Sequence, residues 1–151
     1  MRYFTLKELI RSETAERLGI DNKPSADEFC ALAMLGDKVL DPARHKFGSP
    51  VFVSSGYRCV VLNKAVGGVA NSQHCKGEAA DLYAGSEESN ARLGRVLYEQ
   101  GNYDQLIFEN ANADGTLCEW VHVSYCRGGN RRQCLIKIKG VKGYAPFTPM
   151  L

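Results

Sequence analysis

The sequence predicts an α+β domain in which N-terminal helices pack on a small antiparallel sheet, with residues 1–151 forming one unit. Capped segments of helical period fill the first half of the chain and short strand-like runs fill the second. That segregation argues for helices on one face of an antiparallel sheet, not for alternating βαβ units. Length agrees: a chain of 151 residues buries roughly 70% of the surface its unfolded form exposes, so a core forms without disulfides or a metal.

Thr5-Leu6-Lys7-Glu8 is a capping box, and Leu6, Leu9 and Ile10 form the buried stripe of the short helix it opens. Glu13 to Leu18 is a second helical turn, stopped at Gly19. Ser25-Ala26-Asp27-Glu28 repeats the box and opens the longest early helix, with Phe29, Leu32, Leu35, Val39 and Leu40 on one face and Asp41-Pro42 near its end. After the turn Gly48-Ser49-Pro50, Val51 to Ser54 reads as a strand and Ser55 to Arg58 as a loop. Cys59 to Val66 is a helix closed by Gly67-Gly68, Glu78 to Tyr83 a strand, and Ser86 to Gln100 a capped helix with Leu93, Val96 and Leu97 inside. Tyr103–Glu109 and Leu117–Tyr125 flank an Asp114-Gly115 turn signal and form an antiparallel hairpin; Cys134 to Lys139 is the last strand.

Composition narrows the function classes. The chain is 44% hydrophobic and 24% charged, ordinary for a globular domain. A net charge of +2 from 19 basic and 17 acidic residues is too balanced for a dedicated nucleic-acid or membrane binder. Arg127, Arg131, Arg132, Lys137, Lys139 and Lys142 are read as a solvated loop and strand face. None of the six cysteines forms a C-x-x-C pair, so they are poor evidence for a metal site, and their redox state is left open. The N-terminus lacks the apolar segment of a secretory signal and no stretch approaches ~20 apolar residues, so cytoplasmic synthesis is expected.

Two of the three histidines sit in patterns with chemical meaning. His74-Cys75-Lys76-Gly77-Glu78-Ala79-Ala80-Asp81 carries an imidazole on a loop and a carboxylate on the following strand, and the small residues between let the chain turn so that both converge. His122 lies on the second hairpin strand in Glu119-Trp120-Val121-His122-Val123-Ser124. A lone histidine on an apolar strand is more often a hydrogen-bonded core residue than a ligand. A carboxylate flanked by Ala80 and Leu82 is costly unless paired or metal-bound. Together, two imidazoles and one carboxylate neutralise one of the two charges on Zn²⁺ and leave a coordination position open, the composition of a catalytic site.

Ser55-Gly56-Tyr57-Arg58, Leu62-Asn63, Val66-Gly67-Gly68, Ser72-x-His74-x-x-Gly77-x-Ala79-x-Asp81, Tyr103-Asp104-Gln105-Leu106-Ile107 and Glu119-Trp120-Val121-His122-Val123-Ser124 together resemble the M15 peptidases, which include zinc D-Ala-D-Ala carboxypeptidases, dipeptidases and phage endolysins. The resemblance runs from about Phe4 to Tyr125. It implies that His74, Asp81 and His122 ligate one catalytic zinc ion. Glu119 would act as general acid/base, and Arg58 would bind the substrate's carbonyl or carboxylate, with Ser72 and Gln105 lining the pocket. A guanidinium suits that task because its donors form a rigid fork. Glu119 and His122 have opposite parity, so a bulge or strand entry near 119–121 is required to aim both at one point. Tyr57, Tyr103 and Trp120 are read as packing residues and His45 as a surface residue.

The expected partner is a peptidoglycan stem peptide, with no nucleic-acid or membrane partner, a monomeric state, and, for an endolysin, release to the cell wall by a phage holin. The competing expectation is a non-catalytic zinc-containing binding module, because the hedgehog signalling domains resemble this fold. Retention of Glu119 and Arg58 beside the ligands favours the enzyme.

Overall fold

The computed structural model describes residues 1–151. Both capping boxes form: Thr5 accepts from the Glu8 amide while the Glu8 carboxylate receives the Thr5 amide, and Ser25 and Glu28 repeat the exchange. They open α1 (Leu6–Ile10) and α3 (Ala26–Leu35), with α2 (Glu13–Leu18) between, ended by Gly19 at φ +66°.

Asp41-Pro42 does not end the helical run. The chain passes through a π turn (Gly36–Leu40) into α4 (Asp41–Phe47), which places Pro42 in a first turn. There its missing N–H costs little, because the first amides of a helix lack intrahelical partners. Leu32, Leu35, Val39 and Leu40 are buried as the spacing requires, but Phe29 is exposed.

The sheet has six strands: β1 (Phe52–Ser55), β2 (Ala79–Tyr83), β3 (Gln105–Ala111), β4 (Trp120–Ser124), β5 (Gln133–Ile138) and β6 (Ala145–Pro146), in spatial order β1-β2-β4-β3-β5-β6. Between them lie α5 (Val60–Ala65), a 3₁₀ turn (Gln73–Lys76) and α6 (Glu87–Gln100). The β3–β4 hairpin is antiparallel as expected. The expectation of a wholly antiparallel sheet is corrected at one edge, because β5 pairs parallel with β3 and β6 follows it. The chain leaves β4 and rounds the start of β3, pivoting on Asp104. That carboxylate takes the Arg131 amide and guanidinium, and the Asp104 carbonyl takes the Gln133 amide.

Strand alternation assigns the two sheet faces. Ala80, Leu82, Leu106, Phe108, Val121 and Val123 belong to the buried core with residues of α3, the π turn, α4 and α6 such as Leu35, Val39, Ala43, Leu93 and Leu97. Gly94 lets α6 approach the sheet, since a Cβ there would run into the Phe108 ring. The residues between them, Asp81, Gln105, Ile107, Glu109, Trp120 and His122, line an open groove on the other face.

Candidate metal centre

The groove's chemistry begins in the segment before β2. Ser72 caps the 3₁₀ turn by accepting from the His74 amide at 3.2 Å, and Gly77 ends it at φ +68°. A side chain at 77 would be strained at that φ and would meet the Glu28 carbonyl. The turn thus delivers His74 just as the chain enters β2. Asp81 then falls directly opposite His122 in the β2–β4 ladder.

Three donor atoms converge. Asp81 Oδ1 lies 2.9 Å from His122 Nδ1 and 3.4 Å from His74 Nε2. His74, Asp81 and His122 each offer one ligand atom within 4.8 Å of the others. The other ring nitrogen of His74 lies 2.7 Å from the Gly56 carbonyl. A carbonyl only accepts, so Nδ1 carries the hydrogen and Nε2 presents its lone pair to the cluster. This outer hydrogen bond is the usual device for orienting a metal-binding imidazole.

The Ser55–Arg58 loop is what holds that carbonyl in place. Tyr57 donates its amide to the Leu9 carbonyl at 2.7 Å, and Arg58 donates its amide to the His74 carbonyl at 3.1 Å. A Cβ on Gly56 would overlap the Leu9 carbonyl oxygen. Glycine is therefore required where the loop crosses α1.

Burial works to raise the Asp81 pKa, but the two neighbouring imidazoles, His122 first, outweigh it and hold the carboxyl well below the usual range. Asp81 is thus an anion, the form a cation needs. Arg58 lines the groove, and its Nε is a buried donor with no protein partner. Burying an unsatisfied donor costs about 1–3 kcal/mol, so an acceptor supplied by a ligand is the natural complement. The groove has a volume of about 820 Å³, in the range of ligand sites.

Ser72 and Gln105 also line the groove; Ser72 is occupied as a cap, and Gln105 donates to Gln133 at 2.6 Å. Tyr57 and Tyr103 are buried packing residues and His45 is exposed beside Tyr3. Trp120 differs from expectation: it shares the face of His122 and lines the groove.

Glu119 lies at the entry to β4, just before its first residue Trp120; the β3–β4 register from Trp120 to Val123 and the β2–β4 register from Val121 to Ser124 run without a bulge, so the strand entry sets its direction. Its carboxylate binds Lys139 at 2.7 Å and Asn110 at 3.0 Å. The carboxylate that the hairpin does turn into the groove is Glu109, opposite Trp120 and only 9% exposed. Burial pushes its pKa up, the nearby Asp81 charge adds to this, and His122 acts against it. A signal in the sequence could have found it. Paired residues sit at equal distances on either side of Asp114-Gly115, and counting outward from that turn puts Glu109 on the face of His122.

Two imidazole nitrogens and one carboxylate at the floor of an open groove form a three-protein-ligand centre with room for water or substrate, the arrangement of a catalytic metal hydrolase. The family model described as Peptidase M15 matches residues 2–124, and the chain belongs to the peptidase M15 family. Over 85 residues it is 41% identical to the protein named zinc D-Ala-D-Ala carboxypeptidase from Streptomyces albus G, a match covering 56% of this chain and 32% of that protein. The chain therefore spans about a third of that curated relative's length.

Proposed function

We propose that this protein is a zinc peptidase that hydrolyses a peptide bond in peptidoglycan stem peptides, as a D-Ala-D-Ala carboxypeptidase or an endolysin-type endopeptidase. The observation that carries this reading is the convergence of His74 Nε2, Asp81 Oδ1 and His122 Nδ1 beneath a groove that also presents the unpartnered Nε of Arg58. The name of the Streptomyces albus G relative supplies both the metal and the substrate class.

His74, Asp81 and His122 would hold the ion, with His74 oriented by Gly56. When bound, zinc supplies Lewis acidity and brings the pKa of a water to about 7. Arg58 donates to the scissile carbonyl and to the negative charge that gathers on it during attack, an interaction that strengthens toward the transition state. Ser72 and Gln105 form the nearby wall, and Trp120 offers a flat apolar surface to the peptide.

The test is digestion of purified sacculi and of a synthetic stem pentapeptide by the zinc-loaded protein, read by mass spectrometry, with Asp81→Ala as the control. Loss of one terminal alanine identifies a carboxypeptidase, and internal cleavage identifies an endopeptidase. A protein that holds zinc and cleaves neither substrate would overturn the reading and leave a hedgehog-like binding module.

A further inference from the structure

We propose that residues 125–151 form a basic docking surface for the peptidoglycan polymer, holding carboxylates of the stem peptides that neighbour the one in the groove; this rests on the peptidoglycan reading above. Charge is divided unevenly along the chain. The stretch from 125 to 151 contains six of the 19 basic residues and none of the 17 acidic ones, so it carries +6, whereas the rest, with 13 basic against 17 acidic, carries −4. The net charge of +2 hides that asymmetry. The break falls where the family match ends, at residue 124.

Folding gathers the charge on one edge of the sheet. After β4 the chain runs through a loop into β5 and β6, the strands that extend the sheet beyond β3. Two of the six cations hold this stretch in place: Arg131 binds the buried Asp104 at 2.7 Å, and Lys139 binds Glu119 at 2.7 Å. Arg127, Arg132 and Lys142 are exposed and, like Lys137, form no ion pair; the Lys137 ammonium donates to the Val141 carbonyl. Like charges crowded on one edge repel, and no carboxylate of the chain relieves these four, so a polyanion is their natural complement.

The same stretch borders the site. Cys126, Gly129, Arg131, Leu135 and Tyr144 line the groove together with Asp81 and His122. Leu135 pairs with Ile107, which pairs with His122, and strand alternation puts Lys137 on the face of Leu135. A peptide in the groove therefore lies beside the basic edge. Stem peptides end in carboxylates, so a sacculus presents many anions around any one scissile bond. Exposed charges attract over about 8 Å at physiological ionic strength, which makes the contact short in range and sensitive to salt. Its contribution is retention on the polymer and faster encounter with it, while the chemistry stays in the groove.

The experiment measures co-sedimentation of the zinc-loaded protein, on ice, with sacculi stripped of attached phosphodiester polymers, and separately its cleavage of the soluble stem pentapeptide. Wild-type binding should weaken at least about tenfold from about 50 to about 300 mM NaCl. The variant carrying Arg127→Gln, Arg132→Gln and Lys142→Gln should bind about tenfold more weakly at low salt and match wild type at high salt, with kcat/KM on the pentapeptide within about threefold. The variant carrying Arg127→Lys and Arg132→Lys keeps the charge and should bind as wild type does. Sacculi whose carboxylates have been converted to neutral amides should no longer retain the protein at low salt. Salt-independent binding, undiminished binding by the triple Gln variant, undiminished binding to amidated sacculi, or binding only to sacculi that keep their phosphodiester polymers overturns the proposal, even where the pentapeptide is cleaved. A protein that binds sacculi in the expected salt-dependent way but cleaves neither sacculi nor pentapeptide overturns the peptidase reading and leaves the docking surface standing.

Discussion

Asn90 ties the strands that carry Asp81 and His122 to α6, and its removal should be costly. Its side chain is fully buried, accepts from the Ala84 amide at 2.6 Å, and donates to the carbonyls of Cys118 at 3.1 Å and Glu119 at 2.7 Å. Those three backbone groups follow β2 and precede β4, the strands that carry Asp81 and His122. Asn90→Ala removes three hydrogen bonds at about 1 kcal/mol each and leaves their backbone partners poorly satisfied, so a loss of about 3 kcal/mol is expected. In a domain of this size that lowers Tm by about 6–12 °C. The measurement is urea and thermal unfolding of the chelator-treated protein, because bound metal would add stability by mass action and mask the change. A loss below about 1 kcal/mol, with an unchanged melting temperature, would show that Asn90 does not brace these strands.

Zinc at a thousandfold excess over its Kd should add about 4 kcal/mol, so chelation should lower Tm by about 8–16 °C, and Asp81→Asn should abolish that difference in differential scanning calorimetry. Arg58→Lys replaces a fork of donors by a point charge and should reduce kcat/KM by about a hundredfold in the pentapeptide assay, with zinc content unchanged. Hydrogen bonds from Arg131 lower the Asp104 pKa against the opposing effect of burial. A carboxyl whose folded pKa is depressed contributes stability above its unfolded value, near 4, and loses it as pH falls through the folded one. Urea midpoints of wild type should therefore drop more between pH 4 and pH 2 than those of Asp104→Asn, and parallel curves would refute the pairing.

Much of the early chain is legible because its signals are local. Thr5 with Glu8, Ser25 with Glu28, and Gly19 act within four residues, so a linear reading finds the helices they bound. Asp41-Pro42 misleads because a proline is read as a stop, whereas the π turn before it is a property of the whole helical run against the core. The parallel β5 was equally hidden: its strand pattern is plain, but its partner depends on the pivot of Arg131 and Gln133 on Asp104.

The candidate metal centre divides along the same line. Chain order supplied the candidates, the His74-to-Asp81 spacing and the hairpin strand bearing His122, and the resemblance to the M15 peptidases, carried by motifs spread from Ser55 to Ser124, is what implied that these three form one donor set. Tertiary structure decided where each carboxylate points. Direction across a sheet follows from register, and register joins residues distant in sequence. The pairing of β4 with both β2 and β3 sets Asp81 against His122, brings Glu109 into the groove, and leaves Glu119 outside it with Lys139.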